Sequence, residues 1–164
     1  MQLDLKKLFV SEGKSFPLDF TITTKQDLFY PSDPQMETTI CVKGNANNYA
    51  QTVQIDFAAT MPFEVPCDRC LTLLHENLSF EFSHVLTPEE IDSFEEGIIV
   101  DDDKLDLDRL VISDIQLDFP LKFLCCEECE GLCPTCGANL NKEKCDCNKN
   151  NIDPRLEALK ELLQ

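Results

Sequence analysis

The stretch Cys125–Cys147, CCEECEGLCPTCGANLNKEKCDC, places seven of the chain's ten cysteines within 23 residues. Its centre, Cys133-Pro134-Thr135-Cys136-Gly137, has the form of a zinc knuckle. Two thiolates separated by two residues can face one ion at a sulfur–metal distance of about 2.3 Å. Proline stiffens such a turn, and glycine after the second thiol permits the positive φ that aims backbone N–H groups at sulfur. Those N–H···S contacts offset the excess negative charge of four thiolates. Cys145-Asp146-Cys147 follows after an eight-residue loop. Cys133, Cys136, Cys145 and Cys147 are therefore expected to form a four-cysteine site for structural Zn2+. The segment holds too few apolar residues to build its own core, which leaves something covalent or metallic to hold it.

Further back lies Cys67-Asp68-Arg69-Cys70. A lone C-x-x-C can be half a zinc site, a pair of free or reversibly oxidised thiols, or a catalytic dithiol. A thioredoxin-like pair needs a helix N-terminus in a βαβ setting. Here the pair falls between two strand-like runs, after Pro62 and Pro66, as at a hairpin tip. Cys129 with Cys125 or Cys126 could complete a second four-cysteine site and staple the tail to the first half of the chain. Cys41, in an alternating run, reads as a small core residue.

The first half reads mostly as strand. Leu3-Asp4-Leu5, Phe16 to Ile22, Thr38 to Val42, Val53 to Phe57 and Leu74 to Phe82 alternate or are β-branched. Turn residues at Pro31–Pro34 and Gly44–Asn48 separate them. Helices follow. Thr87-Pro88-Glu89-Glu90 offers a cap for a short helix carrying Ile91 and Phe94. Leu107, Leu110, Val111 and Ile115 share a helical face, closed by Pro120. Asp153-Pro154 precedes a leucine stripe at Leu156, Leu159, Leu162 and Leu163. The expected fold class is α+β: an antiparallel β-rich body, a meander or half-barrel, with C-terminal helices and a cysteine-rich zinc-binding tail. The expected division is 1–119 for the body and 120–164 for the tail and terminal helix, packed on the body.

The formal charge is −17, and residues 86–120 alone contribute −10. A general phosphate-binding surface is excluded on that balance, since it runs on clustered Lys and Arg. No run approaches the roughly 18 apolar residues of a membrane span, and Asp4 interrupts any signal-peptide pattern. A cytoplasmic, reducing setting is expected, which favours metal over disulfides. His75 and His84 read as surface or packing residues. Asp101-Asp102-Asp103 lacks the spaced ligands of a Ca2+ loop and reads as a solvated acidic loop or a patch for a basic partner. No G-x-S-x-G, P-loop, dinucleotide fingerprint or H-E-x-x-H is present, so the motifs give no reason to expect an enzyme.

Three features taken in order carry a family resemblance: Pro66-Cys67-Asp68-Arg69-Cys70-Leu71 after a strand; the run from Pro120 through Cys125, Cys129, Cys133 and Cys136 to Asn141; and Cys145-Asp146-Cys147 leading to Asp153-Pro154-Arg155-Leu156. Over roughly residues 40–164 the chain closely resembles the YceD family, the large ribosomal RNA subunit accumulation proteins of bacteria and plastids. The resemblance implies a non-enzymatic role in accumulation or maturation of large-subunit (23S) ribosomal RNA. It also implies that Cys67, Cys70, Cys125 and Cys129 match the family's cysteines, as do Cys133, Cys136, Cys145 and Cys147, with Cys126 the extra thiol. Ribosomal RNA is a polyanion and so is this chain. The expected partner is therefore a basic ribosomal protein or assembly factor, steered by the acidic segment. Direct RNA contact is expected only locally, through Lys142, Lys144, Lys149, Arg155 and Lys160 of the tail. The competing expectations are a thiol/zinc redox switch or redox-regulated chaperone, and a dithiol oxidoreductase acting through Cys67 and Cys70.

Overall fold

The computed structural model describes residues 1–10, 13–31, 36–49, 52–87, 97–100 and 104–147. The chain divides into two compact units, Met1–Val65 with Leu74–Leu121, and Pro66–Leu73 with Lys122–Gln164. The sequence-based boundary at 119/120 leaves Pro66–Leu73 in the body; by its contacts this segment groups with the tail.

The first unit begins with β1 (Gln2–Asp4), α1 (Leu5–Val10) and β2 (Ser15–Lys25), then a 3-10 turn at Gln26–Leu28. It continues with β3 (Glu37–Tyr49), β4 (Thr52–Pro66) and β5 (Leu73–Thr87). β6 (Gly97–Ile99), β7 (Lys104–Asp106) and α2 (Leu107–Asp118) complete it. One sheet has the order β2-β3-β4-β5-β6, a meander in which every neighbour is next in sequence. β2 with β3 and β3 with β4 are antiparallel. The short β6 runs parallel to β5. β1 and β7 form a separate antiparallel pair.

Period-two patterning sets the core. In β4, Val53, Ile55, Phe57, Ala59, Met61, Phe63 and Val65 are all buried, and the residues between them are not. Ile40, Val42 and Ala46 of β3 and Leu18 and Ile22 of β2 extend the same face. Burying each large aliphatic side chain contributes about 1.5–3 kcal/mol. α2 buries Leu107, Val111 and Ile115. Asp106 caps it, accepting from Asp108 N and Arg109 N. Phe119, just past the helix, meets Phe63 with ring centroids 5.1 Å apart and Phe29 at 5.7 Å.

Three expectations are corrected. Gly44–Asn48 is not a turn but part of the second half of β3, with Gly44 opposite both Leu18 and Phe57. Glycine serves there for close approach, because a Cβ would lie 2.2 Å from Asp56 O. Cys41 is exposed, not a core residue: Ile40 and Val42 take the buried parity and turn it outward. Leu5 begins a helix rather than ending a strand. Asp4 Oδ1 accepts Lys7 N, and Leu5 and Leu8 are buried three residues apart. The helix expected after Thr87, the Asp101–Asp103 loop and the terminal leucine helix lie outside the described residues.

Asn48 explains the polar end of β3. Its buried amide donates to Leu8 O at 2.6 Å and Phe9 O at 2.9 Å, closing the C-terminal end of α1. Asn48→Ala is expected to lower stability by about 1–3 kcal/mol, because two helix-end carbonyls lose a buried donor. Urea unfolding checks this: a lower midpoint with unchanged slope is the expected result.

Candidate metal centres

The second unit is built on two turns of the same construction. In the first, Cys67 N donates to Thr72 O at 2.8 Å and Leu71 N to Cys67 O at 2.9 Å. In the second, Cys133 N donates to Ala138 O at 2.8 Å and Gly137 N to Cys133 O at 2.9 Å. The residue after each second cysteine has positive φ, Leu71 at 57° and Gly137 at 76°. Each turn presents its two thiols on one side.

Each thiol pair meets a second pair. The sulfurs of Cys67, Cys70, Cys125 and Cys129 all lie within 4.8 Å of one another, and so do those of Cys133, Cys136, Cys145 and Cys147. The structure thus brings together all eight expected cysteines in the two expected groups. Cys67 Sγ lies 3.9 Å from Cys129 Sγ and Cys70 Sγ 3.6 Å from Cys125 Sγ. A tetrahedral ion bound at about 2.3 Å has sulfur–sulfur edges of about 3.8 Å. These separations fit such an ion and are far beyond the roughly 2.05 Å of a disulfide. Two four-cysteine clusters therefore have the donor set and the spacing to hold a metal ion each.

The first cluster depends on residues that the spacing of cysteines does not announce. Asp68 N donates to Phe123 O at 2.9 Å, and Asp68 Oδ2 accepts Phe123 N at 2.7 Å. Arg69 Nη1 donates to Cys129 O at 2.8 Å and Glu127 O at 3.3 Å, while Arg69 O accepts Leu132 N at 3.1 Å. The two residues inside C-x-x-C thus hold the segment that supplies Cys125 and Cys129. Asn141 is a further residue that the motif reading did not single out. Its amide donates to Cys129 Sγ at 3.3 Å, and its Oδ1 accepts Glu130 N at 2.8 Å. It thereby ties the loop leaving the second turn to a thiol of the first cluster.

Backbone N–H groups set the ionisation. Burial pushes the Cys67 thiol up, but N–H groups of Cys70, Arg69 and Cys125 outweigh it and hold Cys67 at about 6. N–H groups of Cys136 and Thr135 hold Cys133 at about 6 as well. The Thr72 hydroxyl and its N–H lower Cys70. Cys125 is raised, by Cys129 first and then Cys70, and Cys147 is raised to about 12 by Cys136. Cys67, helped by the lowered Cys70, and Cys133 are thus the anchoring thiolates of their clusters, while Cys125 and Cys147 would give up their protons to an ion. Metal affinity is expected to drop as pH drops, and more steeply below about 6, where Cys67 and Cys133 must also be deprotonated. Competition with a chromogenic chelator from about pH 8 to about pH 5 reads that slope. A slope that stays constant through pH 6 contradicts the assignment of Cys67 and Cys133 as anchors.

Outside the clusters, His84 is not merely a packing residue. Its Nε2 lies 2.7 Å from Asp114 Oδ2, joining β5 to α2, with the Phe57 ring centroid 6.0 Å away. His75 Nδ1 meets Glu64 Oε1 at 3.0 Å on the exposed face. Cys126 is exposed, its sulfur 3.9 Å from that of Cys125.

A family model described as "Large ribosomal RNA subunit accumulation protein YceD" matches residues 55–163, a span that contains both clusters. The chain belongs to the YceD family. Across all of its length it is 30% identical to a Bacillus subtilis (strain 168) protein, "Uncharacterized protein YlbN", covering 97% of that protein. It is 32% identical over 103 residues to "Uncharacterized protein Rv2926c" of Mycobacterium tuberculosis, covering 59% of this chain and 49% of that one. It is 30% identical over 118 residues to the Arabidopsis thaliana "Large ribosomal RNA subunit accumulation protein YCED homolog 1, chloroplastic". That alignment covers 53% of this chain and 37% of the plant protein. No solved structure matches. No helix among the described residues is long and apolar enough to cross a membrane.

Proposed function

We propose that this YceD-family chain is a non-enzymatic factor that supports accumulation of large-subunit ribosomal RNA by docking on a basic ribosomal or assembly protein, in the cytoplasm. The observation that carries the reading is the match over residues 55–163 to a family described by that accumulation role. The charge of −17 directs it toward a basic protein rather than toward RNA itself. In this reading both four-cysteine clusters hold Zn2+. The ion suits all-thiolate tetrahedral sites and is redox-inert, so it holds the second unit together without chemistry of its own. The test is deletion and complementation. Loss of the protein should lower large-subunit relative to small-subunit RNA, and the wild-type chain should restore the ratio. An unchanged ratio in the deletion strain would overturn the proposal.

Cys126 favours a second reading, a thiol/zinc redox switch. An exposed thiol 3.9 Å from a cluster sulfur is placed to capture an oxidised neighbour. Zinc content and client binding measured before and after mild peroxide separate the two. Reversible zinc loss with gained binding supports the switch, and unchanged zinc supports the structural role.

A further inference from the structure

The two turns share their hydrogen bonds but differ at the residue after the second cysteine. Gly137 fills that place in one and Leu71 in the other. Leu71 is the one non-glycine residue with positive φ among the described residues. A leucine is disfavoured in this left-handed conformation, whereas glycine adopts it freely. Core packing does not account for its presence, because Leu71 is 64% exposed. Leu73, two residues on, is 54% exposed. A strained backbone that displays an apolar side chain to solvent is a feature from which function can be inferred.

The surroundings state what would cover it. Cys70, next to Leu71, touches Cys125 at 3.6 Å between sulfurs, and the chain runs on from Cys125 through Glu127, Glu128 and Glu130, all exposed. A four-thiolate site holding a divalent ion adds net negative charge of its own. Arg69, the cation of the turn, is engaged with the Cys129 and Glu127 carbonyls. The segment that meets this turn through Cys125 and the Glu127 carbonyl thus carries three exposed carboxylates against the one guanidinium of Arg69, a balance that disfavours a nucleic-acid backbone and favours Lys and Arg.

We propose that Leu71 and Leu73 are the apolar anchor of a docking surface, with Glu127, Glu128 and Glu130 of the segment bonded to the same turn supplying its negative charge, for a Lys/Arg-rich protein segment that carries an apolar side chain. The proposal rests on the basic-partner reading above and gives that partner a place on the second unit. It assigns Leu71 to binding at the expense of local backbone comfort.

The test uses the zinc-loaded full chain and the basic large-subunit ribosomal proteins, purified singly, in a direct binding titration at low and moderate salt. The variants are Leu71→Gly, which keeps the backbone conformation and removes the side chain, and Leu71→Met, which keeps an apolar side chain. At least one ribosomal protein is expected to bind, more weakly as salt rises. Leu71→Gly should weaken that binding about tenfold, the loss expected for an anchoring leucine. Its zinc content should be unchanged and its melting temperature equal or higher, while Leu71→Met stays near wild type. Wild-type binding that Leu71→Gly leaves intact overturns the docking surface and spares the partner reading. Absence of binding to every basic protein overturns both. A Leu71→Gly chain whose oligomeric state changes, with partner binding intact, assigns this surface to self-association and also overturns the proposal.

Discussion

If the two clusters hold zinc as proposed, its removal is expected to unfold residues 66–73 and 122–147 while the sheet of β2 to β5 keeps its structure. The second unit has little else to hold it. Among its described residues, Phe123 and four of the cysteines are the apolar side chains that are buried. Structural zinc contributes about 10–16 kcal/mol of binding free energy at neutral pH, far more than one buried phenylalanine. The first unit has the complete inward face of β4 together with Ile40, Val42, Leu107, Val111 and Ile115. Hydrogen exchange with and without a chelator reads both at once. Protection at the Cys67, Leu71, Cys133 and Gly137 amides should be lost, while β3 and β4 stay protected. Equal protection of the second unit in both conditions refutes a metal-held tail.

Gly44→Ala is expected to be the most damaging small substitution in the first unit. The added Cβ would stand 2.2 Å from Asp56 O and 2.6 Å from Phe57 Cβ, in the neighbouring strand β4. Backbone atoms in the middle of a three-strand register cannot swing aside as a long side chain can. β3 must part from β4 beside Phe57, or the methyl group cannot enter. The expected cost is about 3 kcal/mol, a large part of a typical domain's stability of about 5–15 kcal/mol. Gly137→Ala makes the contrast: nothing lies within 4 Å of its added Cβ, and only the φ of 76° opposes it, at about 1 kcal/mol. Urea unfolding of both variants separates close approach from conformational freedom. A Gly44→Ala midpoint close to that of wild type contradicts the packing argument.

What the sequence made legible was local and periodic. Alternation over Val53 to Phe57 announced β4, and the Leu107, Val111, Ile115 spacing announced α2. Cysteine spacing announced both turns and the group of Cys133, Cys136, Cys145 and Cys147; for the other group spacing left Cys125 and Cys126 as alternatives, and the family resemblance alone pointed to Cys125. What stayed hidden depended on tertiary contact or on ambiguous residues. Glycine marks a turn as readily as a close approach, so Gly44 gave the wrong signal until Asp56 and Phe57 were seen beside it. α1 buries only Leu5 and Leu8, too few for a helical period to emerge. β7 is three residues long and exists by pairing with β1, about a hundred residues earlier in the chain. His84 and Asp114 are 30 residues apart and meet only when α2 packs beside β5. Asp68 and Arg69 looked like spacers between ligands; their contacts with Phe123, Glu127 and Cys129 are what orient the second half of the cluster.

Counting the metal tests the account most directly. Native mass spectrometry of the full chain, purified under reducing conditions without added metal, should show two zinc ions per chain and no disulfides. A metal-free chain, a single zinc, or cysteines joined in disulfides would contradict the assignment of Cys67, Cys70, Cys125 and Cys129 to one ion and Cys133, Cys136, Cys145 and Cys147 to another.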